Sequence, residues 1–286
     1  MIPDFPETPE EKVLERALPR LLGLDSPHWL SFLQQAFQEN THPAALEPVA
    51  QQYLRMWQFT LWGKNWQEAG LADPWEAVTL WKKTPELTRE IQAVLAFQFD
   101  RFTVLPQKPR LPYPCALEVY CNYSRDQIFA ALGLAKPNSV REGVKYLHQK
   151  NSQVVTRDTD VFLVTLNKSE KEFSESTRYE DYSINDRLFH WQSQNATTPD
   201  SPTGQRYIHQ REKGNIVLLF VRNRKKTPRA HPRITPSWEP PNSPAGAAAS
   251  PLPSSITWTT PSQPSILPLQ IAVGCCEKRA VVKAGL

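Results

Sequence analysis

The hydrophobic period of this chain changes once, at residues 105–114, which read Leu-Pro-Gln-Lys-Pro-Arg-Leu-Pro-Tyr-Pro. Proline fixes φ and removes a backbone donor, so this stretch can extend neither a helix nor a central strand. It reads as a stiff, polyproline-like connector and a domain boundary. Apolar residues recur every three to four positions before it and alternate after it. That order predicts an α+β chain, with an N-terminal helical bundle over residues 1–104, a linker over 105–115 and a small strand-rich α+β domain over 116–226.

In the first part, Ser26-Pro27 is an N-cap followed by proline at the first helical position, and Leu30, Leu33, Ala36 and Phe37 follow at helical spacing. Pro43 opens a run in which Leu46, Val49, Tyr53, Met56 and Trp57 share a face. Asp73-Pro74 and Thr84-Pro85-Glu86 repeat the device, the second ahead of Leu87, Ile91, Leu95 and Phe102. Six of nine tryptophans lie between Trp29 and Trp81. At helical spacing they read as packed core, although such rings can also stack on bases.

In the second part, Leu117, Val119, Cys121 and Tyr123 alternate with Ala116, Glu118, Tyr120 and Asn122, which predicts a half-buried strand. Ser124-Arg125-Asp126-Gln127 is a capping box opening a short helix that Gly133 ends. Further strands are expected at 143–147, 161–167, 188–194 and 216–222, the last apolar enough to be covered on both faces. Ser201-Pro202 caps a short helix running through Tyr207 toward Gln210. A partly open barrel is one arrangement such strands can take.

The remainder, residues 227–286, holds eleven of the twenty-seven prolines among Ser, Thr and Ala. Such a tail cannot bury enough apolar surface to offset its ordering entropy, so disorder is expected there. A frame slip in the gene would also produce such an ending.

Net charge is +4, but it is local. From residue 213 to 233 there are seven basic residues and no acidic one: Lys213, Arg222, Arg224, Lys225, Lys226, Arg229 and Arg233. Without them twenty-six basic residues face twenty-nine acidic ones. A local basic stripe is the footprint of a polyanion partner, or else a solvated surface segment.

Recognisable catalytic motifs are missing from the sequence. There is no phosphate-cradling G-x-x-x-x-G-K-[ST] and no G-x-G-x-x-G. Cys115 and Cys121 stand too far apart for the usual zinc spacing, and Cys275 and Cys276 are adjacent, so neither metal nor cofactor is expected. His148-Gln149-Lys150 matches half of a phospholipase-D-type motif, but no second half exists to supply the acid. One strand stands out. In the segment from Arg187 to Gln194, His190, Gln192 and Gln194 share a face as a polar ladder, next to Trp191. Amides can read base edges and an indole can stack on them, while an exposed polar strand face explains the same pattern. The helix start at Ser201-Pro202 could hold a phosphate, or simply be capped.

The stretches Asp160-Val161-Phe162-Leu163-Val164-Thr165-Leu166-Asn167-Lys168-Ser169-Glu170-Lys171, Leu188-Phe189-His190-Trp191-Gln192-Ser193-Gln194 and Ser201-Pro202-Thr203-Gly204-Gln205-Arg206-Tyr207-Ile208 resemble signatures of the bacterial family called domain of unknown function 3427. Tyr123-Ser124-Arg125-Asp126-Gln127-Ile128, with Ala131-Leu132-Gly133, is similar to its opening, and the helix around Met56-Trp57-Gln58 to the region that precedes it. The resemblance implies the C-terminal region of a superfamily-two helicase of DEAD/DEAH type, often carrying a phospholipase-D-type nuclease domain, in restriction, phage defence or DNA repair. This chain has no motor motifs, so the helicase core or nuclease would be a partner in cis or in trans.

The expected function is therefore a non-catalytic, helicase-associated accessory module that binds nucleic acid, DNA in the first instance. Lys213, Arg222, Arg224, Lys225 and Lys226 would contact phosphates, and His190, Trp191, Gln192 and Gln194 would contact bases. The alternatives are a protein-interaction module docking a helicase or nuclease through its Trp-rich helices, and a nuclease with an unrecognised site. The acidic N-terminus has no signal-peptide core and no apolar run could span a bilayer, so a cytoplasmic protein without a membrane partner is expected.

Overall fold

In the computed structural model the described residues are 8–39, 45–101, 107–119, 121–167, 182–183, 187–192, 197–224, 254–260, 263–268, 274–275 and 280–282. The helical region comprises α1 (Pro9–Leu21), α2 (Pro27–Gln38), α3 (Pro48–Trp62), the short α4 (Trp66–Ala69) and α5 (Glu76–Thr79), and α6 (Pro85–Asp100). Thr8 and Glu11 close a capping box on α1. At the other end of α1, Arg20 donates from Nε to the carbonyl of Thr60 at 2.6 Å and from a terminal nitrogen to that of Leu61 at 3.0 Å. These are carbonyls of the last turn of α3, which need such a donor. Leu33 and Phe37 of α2, Leu54, Trp57 and Leu61 of α3, and Ile91 and Leu95 of α6 meet in the middle. Trp29, Trp57, Trp75 and Trp81 are fully buried, so most of the tryptophan cluster is core, as its spacing implied.

The second region is α+β, as expected. It comprises β1 (Asn122–Tyr123), α7 (Arg125–Ala131), β2 (Val144–Leu147), β3 (Thr159–Asn167), β4 (Tyr182–Ser183), β5 (Arg187–Gln192), α8 (Pro202–Ile208), α9 (Gln210–Lys213) and β6 (Ile216–Arg224). The capping box of α7 forms, and Gly133 takes a φ of 81° to end it. β2 runs antiparallel to β3, and β3 parallel to β6, from Thr159 opposite Ile216 to Asn167 opposite Arg224. Strand alternation then sorts the apolar run of β6. Ile216, Leu218 and Phe220 join the core shared with the helical region, while Val217, Leu219 and Val221 are buried on the opposite face. On that face Phe162 meets Tyr207 of α8 edge-on at 5.5 Å between ring centroids. β6 is thus covered on both sides.

Beyond β6 four short strands, β7 (Ser254–Thr260), β8 (Gln263–Pro268), β9 (Gly274–Cys275) and β10 (Ala280–Val282), are described through their backbone. β7 pairs with β5 and β8, while β9 and β10 pair at β6 and β1. Among the described residues the larger sheet stays open, with β1 and β2 at its edges.

The strand expected over 116–123 does not form. Only Asn122 and Tyr123 enter a ladder, and Val119 makes a single bridge to Gln107. Ala116, Leu117, Glu118 and Val119 are all buried, so alternation does not sort this segment into an inner and an outer face. It is held by the helices instead. Gln52 of α3 donates to the carbonyl of Pro114 at 2.9 Å and accepts from the Ala116 N–H at 2.7 Å. The Ser26 hydroxyl donates to Glu118 at 2.5 Å rather than capping α2, and His28 Nδ1 bonds the other carboxylate oxygen. A buried carboxylate needs such partners, and two residues at the start of α2 supply them.

Gly204 shows how tightly α8 is seated. A Cβ built there would lie 2.0 Å from the Thr198 carbonyl oxygen. Gly204→Ala must therefore move backbone, and is expected to cost about 1–3 kcal/mol or more, read as a lowered midpoint in urea unfolding.

Candidate functional site

Of the residues expected to touch nucleic acid, Lys213 and Arg222 stand far apart, before and along the same strand. Lys213 is the last residue of α9 and is exposed, at the end of the sheet where β3 and β6 begin. Arg222 lies on β6 six residues past Ile216, about 20 Å along the strand at ~3.3 Å per residue. Its Nε donates to Thr165 Oγ1 at 2.8 Å. Arg224 ends β6, its backbone opposite Asn167, and Lys225 and Lys226 lie outside the described residues. His190, Trp191 and Gln192 are on β5, whose backbone pairs with β4 on one side and β7 on the other. Gln194 lies outside the described residues.

Around Lys213 the fold assembles cations that no sequence window contains. Lys150, Arg157, Arg211 and Lys213 are all exposed, and come from three separate segments at the strand-start edge. Asp158 ties these segments together. Its carbonyl accepts from the Ile216 N–H at 2.8 Å and its Oδ1 from the Gln149 N–H at 3.0 Å. Arg157 reaches over Gly214, where an added Cβ would lie 3.0 Å from a guanidinium nitrogen. His209, beside Glu212 at 2.7 Å, and His148, 3.6 Å from Asp158, flank the group. The Nδ1 of His148 also accepts from the Lys150 N–H at 3.1 Å, so the His-x-Lys motif closes a turn here.

Beneath this edge lies a network spanning two of the segments that carry the family resemblance. Asp160, 1% exposed, accepts a two-pronged bond from Arg206 of α8, both contacts at 2.9 Å. The Arg206 guanidinium stands 3.9 Å from the centroid of the Tyr146 ring, and the Tyr146 hydroxyl donates to Asp158 at 2.6 Å. Burial pushes the Asp160 carboxyl up, against the pull of Arg206. Asp158, although partly buried, is held below its ordinary value by the Tyr146 hydroxyl, the Gln149 N–H, His148 and Arg206. Burial and the Asp158 contact raise the Tyr146 phenol to about 12. The network fixes the edge and leaves Lys150, Arg157, Arg211 and Lys213 to carry its outward charge.

Tyr146 and His148 also line a cleft of about 860 Å³ between α3, α4 and the turns after α7 and β2. Its other walls include Arg55, Gln58, Trp66 and Gln153. Neither the cleft nor the assembled edge was read from the sequence, because each draws on residues far apart in the chain. Among the described residues no group of three or more His, Cys, Asp or Glu is placed to hold a metal ion. Cys115 and Cys121 are unpaired thiols there, and burial pushes the Cys115 thiol up to about 12. No helix among the described residues is long and apolar enough to cross a membrane.

Residues 117–231 match the family model described as Domain of unknown function (DUF3427). No curated protein and no solved structure matches the chain. The matched segment contains α7, the adjacent strands β2, β3 and β6, α8 and α9, and with them the Asp160–Arg206 pair and all four exposed cations of the edge.

Proposed function

We propose that this protein is a non-catalytic accessory module that binds nucleic acid, DNA in the first instance, in the service of a superfamily-two helicase core or nuclease supplied in cis or in trans. The observation that carries the reading is the convergence of Lys150, Arg157, Arg211 and Lys213 on one edge of the sheet. Clustered exposed cations release counterions from a phosphate backbone, which is the main source of sequence-independent affinity. The helicase setting comes from the likeness of the central motifs to the family, and the motor belongs to the partner.

The test is fluorescence anisotropy of a labelled duplex titrated at several salt concentrations. Four neutralised phosphates give a slope of log K against log salt of about −3.6, and Lys213→Glu with Arg157→Glu should remove at least two of them, flattening it to about −1.8 or less. A slope unchanged by the double reversal, or no binding at low salt by the folded protein, sinks the reading.

A second reading has one observation in its favour. Leu18 and Leu22 of the first helix and its end, and Phe97 and Phe99 of α6, stand exposed. They suit a protein-docking role better than the tryptophans do, since four of those rings are buried. Loss of partner binding in Leu22→Glu/Phe97→Glu, with DNA binding intact, would support it.

A further inference from the structure

We infer that the cleft beside the basic edge holds one unpaired nucleotide of a single strand, with Trp66 under the base and Arg55 at its phosphate. This rests on the nucleic-acid reading above and narrows it from any polyanion to a strand with unpaired bases.

Three observations converge on a ligand with an aromatic face, hydrogen-bonding edges and a negative charge. Trp66 departs from the pattern of its neighbours. Trp29, Trp57, Trp75 and Trp81 fill the core and Trp62 packs on Trp81, whereas Trp66 is half-buried in the cleft wall. An indole so placed is a stacking platform, and stacking serves every base. Arg55 is half-buried in the same wall, and among the described residues its only polar contact is the side-chain oxygen of Gln153 at 3.4 Å. It has no carboxylate partner among the described residues, and burial lowers its pKa. A guanidinium taken partly out of water without a counter-ion is favoured by an incoming anion. Glu68 also lines the cleft but is exposed, and burial alone accounts for the shift at Arg55. Finally, Gln58 is fully buried among the lining residues, and its Oε1 has no hydrogen-bond partner. A base carries the N–H donors this oxygen lacks.

Size and setting agree. About 860 Å³ is within the range of small-ligand sites and ample for one nucleotide. A stacked duplex cannot present a base to such a cleft without unpairing it. Tyr146 and His148 line the cleft and both contact Asp158, which holds the cation edge together, and Asn151, next to Lys150, is also in the lining, so cleft and edge adjoin.

The experiment compares a labelled single-stranded 12-mer with the same sequence as a blunt duplex, on the full chain and on Trp66→Ala, Trp66→Phe, Arg55→Gln and Lys213→Glu, each checked for an unchanged unfolding midpoint. Trp66→Ala and Arg55→Gln should weaken the single strand about tenfold or more and the duplex less than twofold. Trp66→Phe, which keeps an aromatic face, should retain most of the affinity, and Lys213→Glu should weaken both forms. Equal losses on both forms, or none in folded Trp66→Ala, overturn the cleft assignment while the basic edge stands. If the unaltered protein binds neither form, this inference and the nucleic-acid reading fall together. A free nucleoside 5′-monophosphate that binds through Trp66 while the single strand gains nothing over the duplex also overturns it, because the cleft would then serve a soluble nucleotide.

Discussion

The segment matched by the family, residues 117–231, is expected to show no cooperative thermal transition when expressed without the helices before it. Its own core is not closed. Leu117, Val119, Cys121, Ile128 and Phe129 are each no more than 1% exposed, and they belong to one continuous cluster with Leu33, Leu54, Trp57 and Ile91 of the helical region. Exposing a buried side chain of this kind costs roughly 1.5–3 kcal/mol, so opening five of them removes about 7–15 kcal/mol. A whole domain has only about 5–15 kcal/mol to lose. The polar contacts point the same way. Gln127 donates to Thr60 Oγ1 at 2.8 Å, the Asn122 N–H donates to Asp25 at 2.6 Å, and Glu118 loses both Ser26 and His28. Circular dichroism melting and the dispersion of amide proton shifts would decide it. A sharp transition in the isolated segment would show that it closes its own core and that the helices are an appended domain.

Much of the local structure was legible because it is written in short spans. The capping box at Ser124 and Gln127, the proline starts of α2 and α6, and the apolar run of β6 each act within one element, and each is found where the pattern puts it. The failures share a cause. At residues 116–123 alternation suggested two faces, but helices pack around the segment, and Glu118 is buried because Ser26 and His28 are folded against it from about ninety residues away. Polarity was no guide to exposure there. Ser26 looked like a cap and turned its hydroxyl to Glu118 instead.

The assembled cation edge is hidden from the sequence for a related reason. A window over residues 213–233 sees a run of positive charge, yet β6 carries Arg222 about 20 Å from the strand-start edge where Lys213 stands. Lys150 and Arg157 reach that edge through the antiparallel return of β2 and β3, which no count of charges along the chain can report. The stretches around Asp160 and around Arg206 resemble the family separately, and nothing in either one's sequence predicts that they meet. In the folded chain they bind each other.

That bond supplies the second large effect. Arg206→Met should keep the hydrocarbon stem against the Tyr146 ring and remove the charge, leaving Asp160 buried and unpaired. Breaking a buried pair from one side costs about 3–5 kcal/mol, because the remaining ion keeps its desolvation penalty. Burial already raises the Asp160 carboxyl against the pull of Arg206, and without Arg206 it rises further. A carboxyl that binds its proton more tightly folded than unfolded contributes fully below its unfolded pKa of about 3.9. That contribution is lost as pH rises through the folded value. The deficit of Arg206→Met relative to the unaltered protein should therefore be largest near neutral pH and narrow as the solution is acidified. Urea unfolding of both proteins at pH 7 and pH 5 measures it. Asp160→Asn in the Arg206→Met background removes the ionisable group and should recover part of the loss at pH 7. A deficit that ignores pH, or a double variant no better than the single one, would mean that Arg206 holds α8 to the sheet by its bulk and its bonds to neighbours other than Asp160. The exposed edge would then owe its position to packing, and Lys213 and Arg211 should stay in place when the pair is broken. A pH-dependent deficit that Asp160→Asn relieves would instead make the buried pair the anchor of the cation edge, so that DNA affinity and α8 stability fall together in Arg206→Met and return together in the double variant.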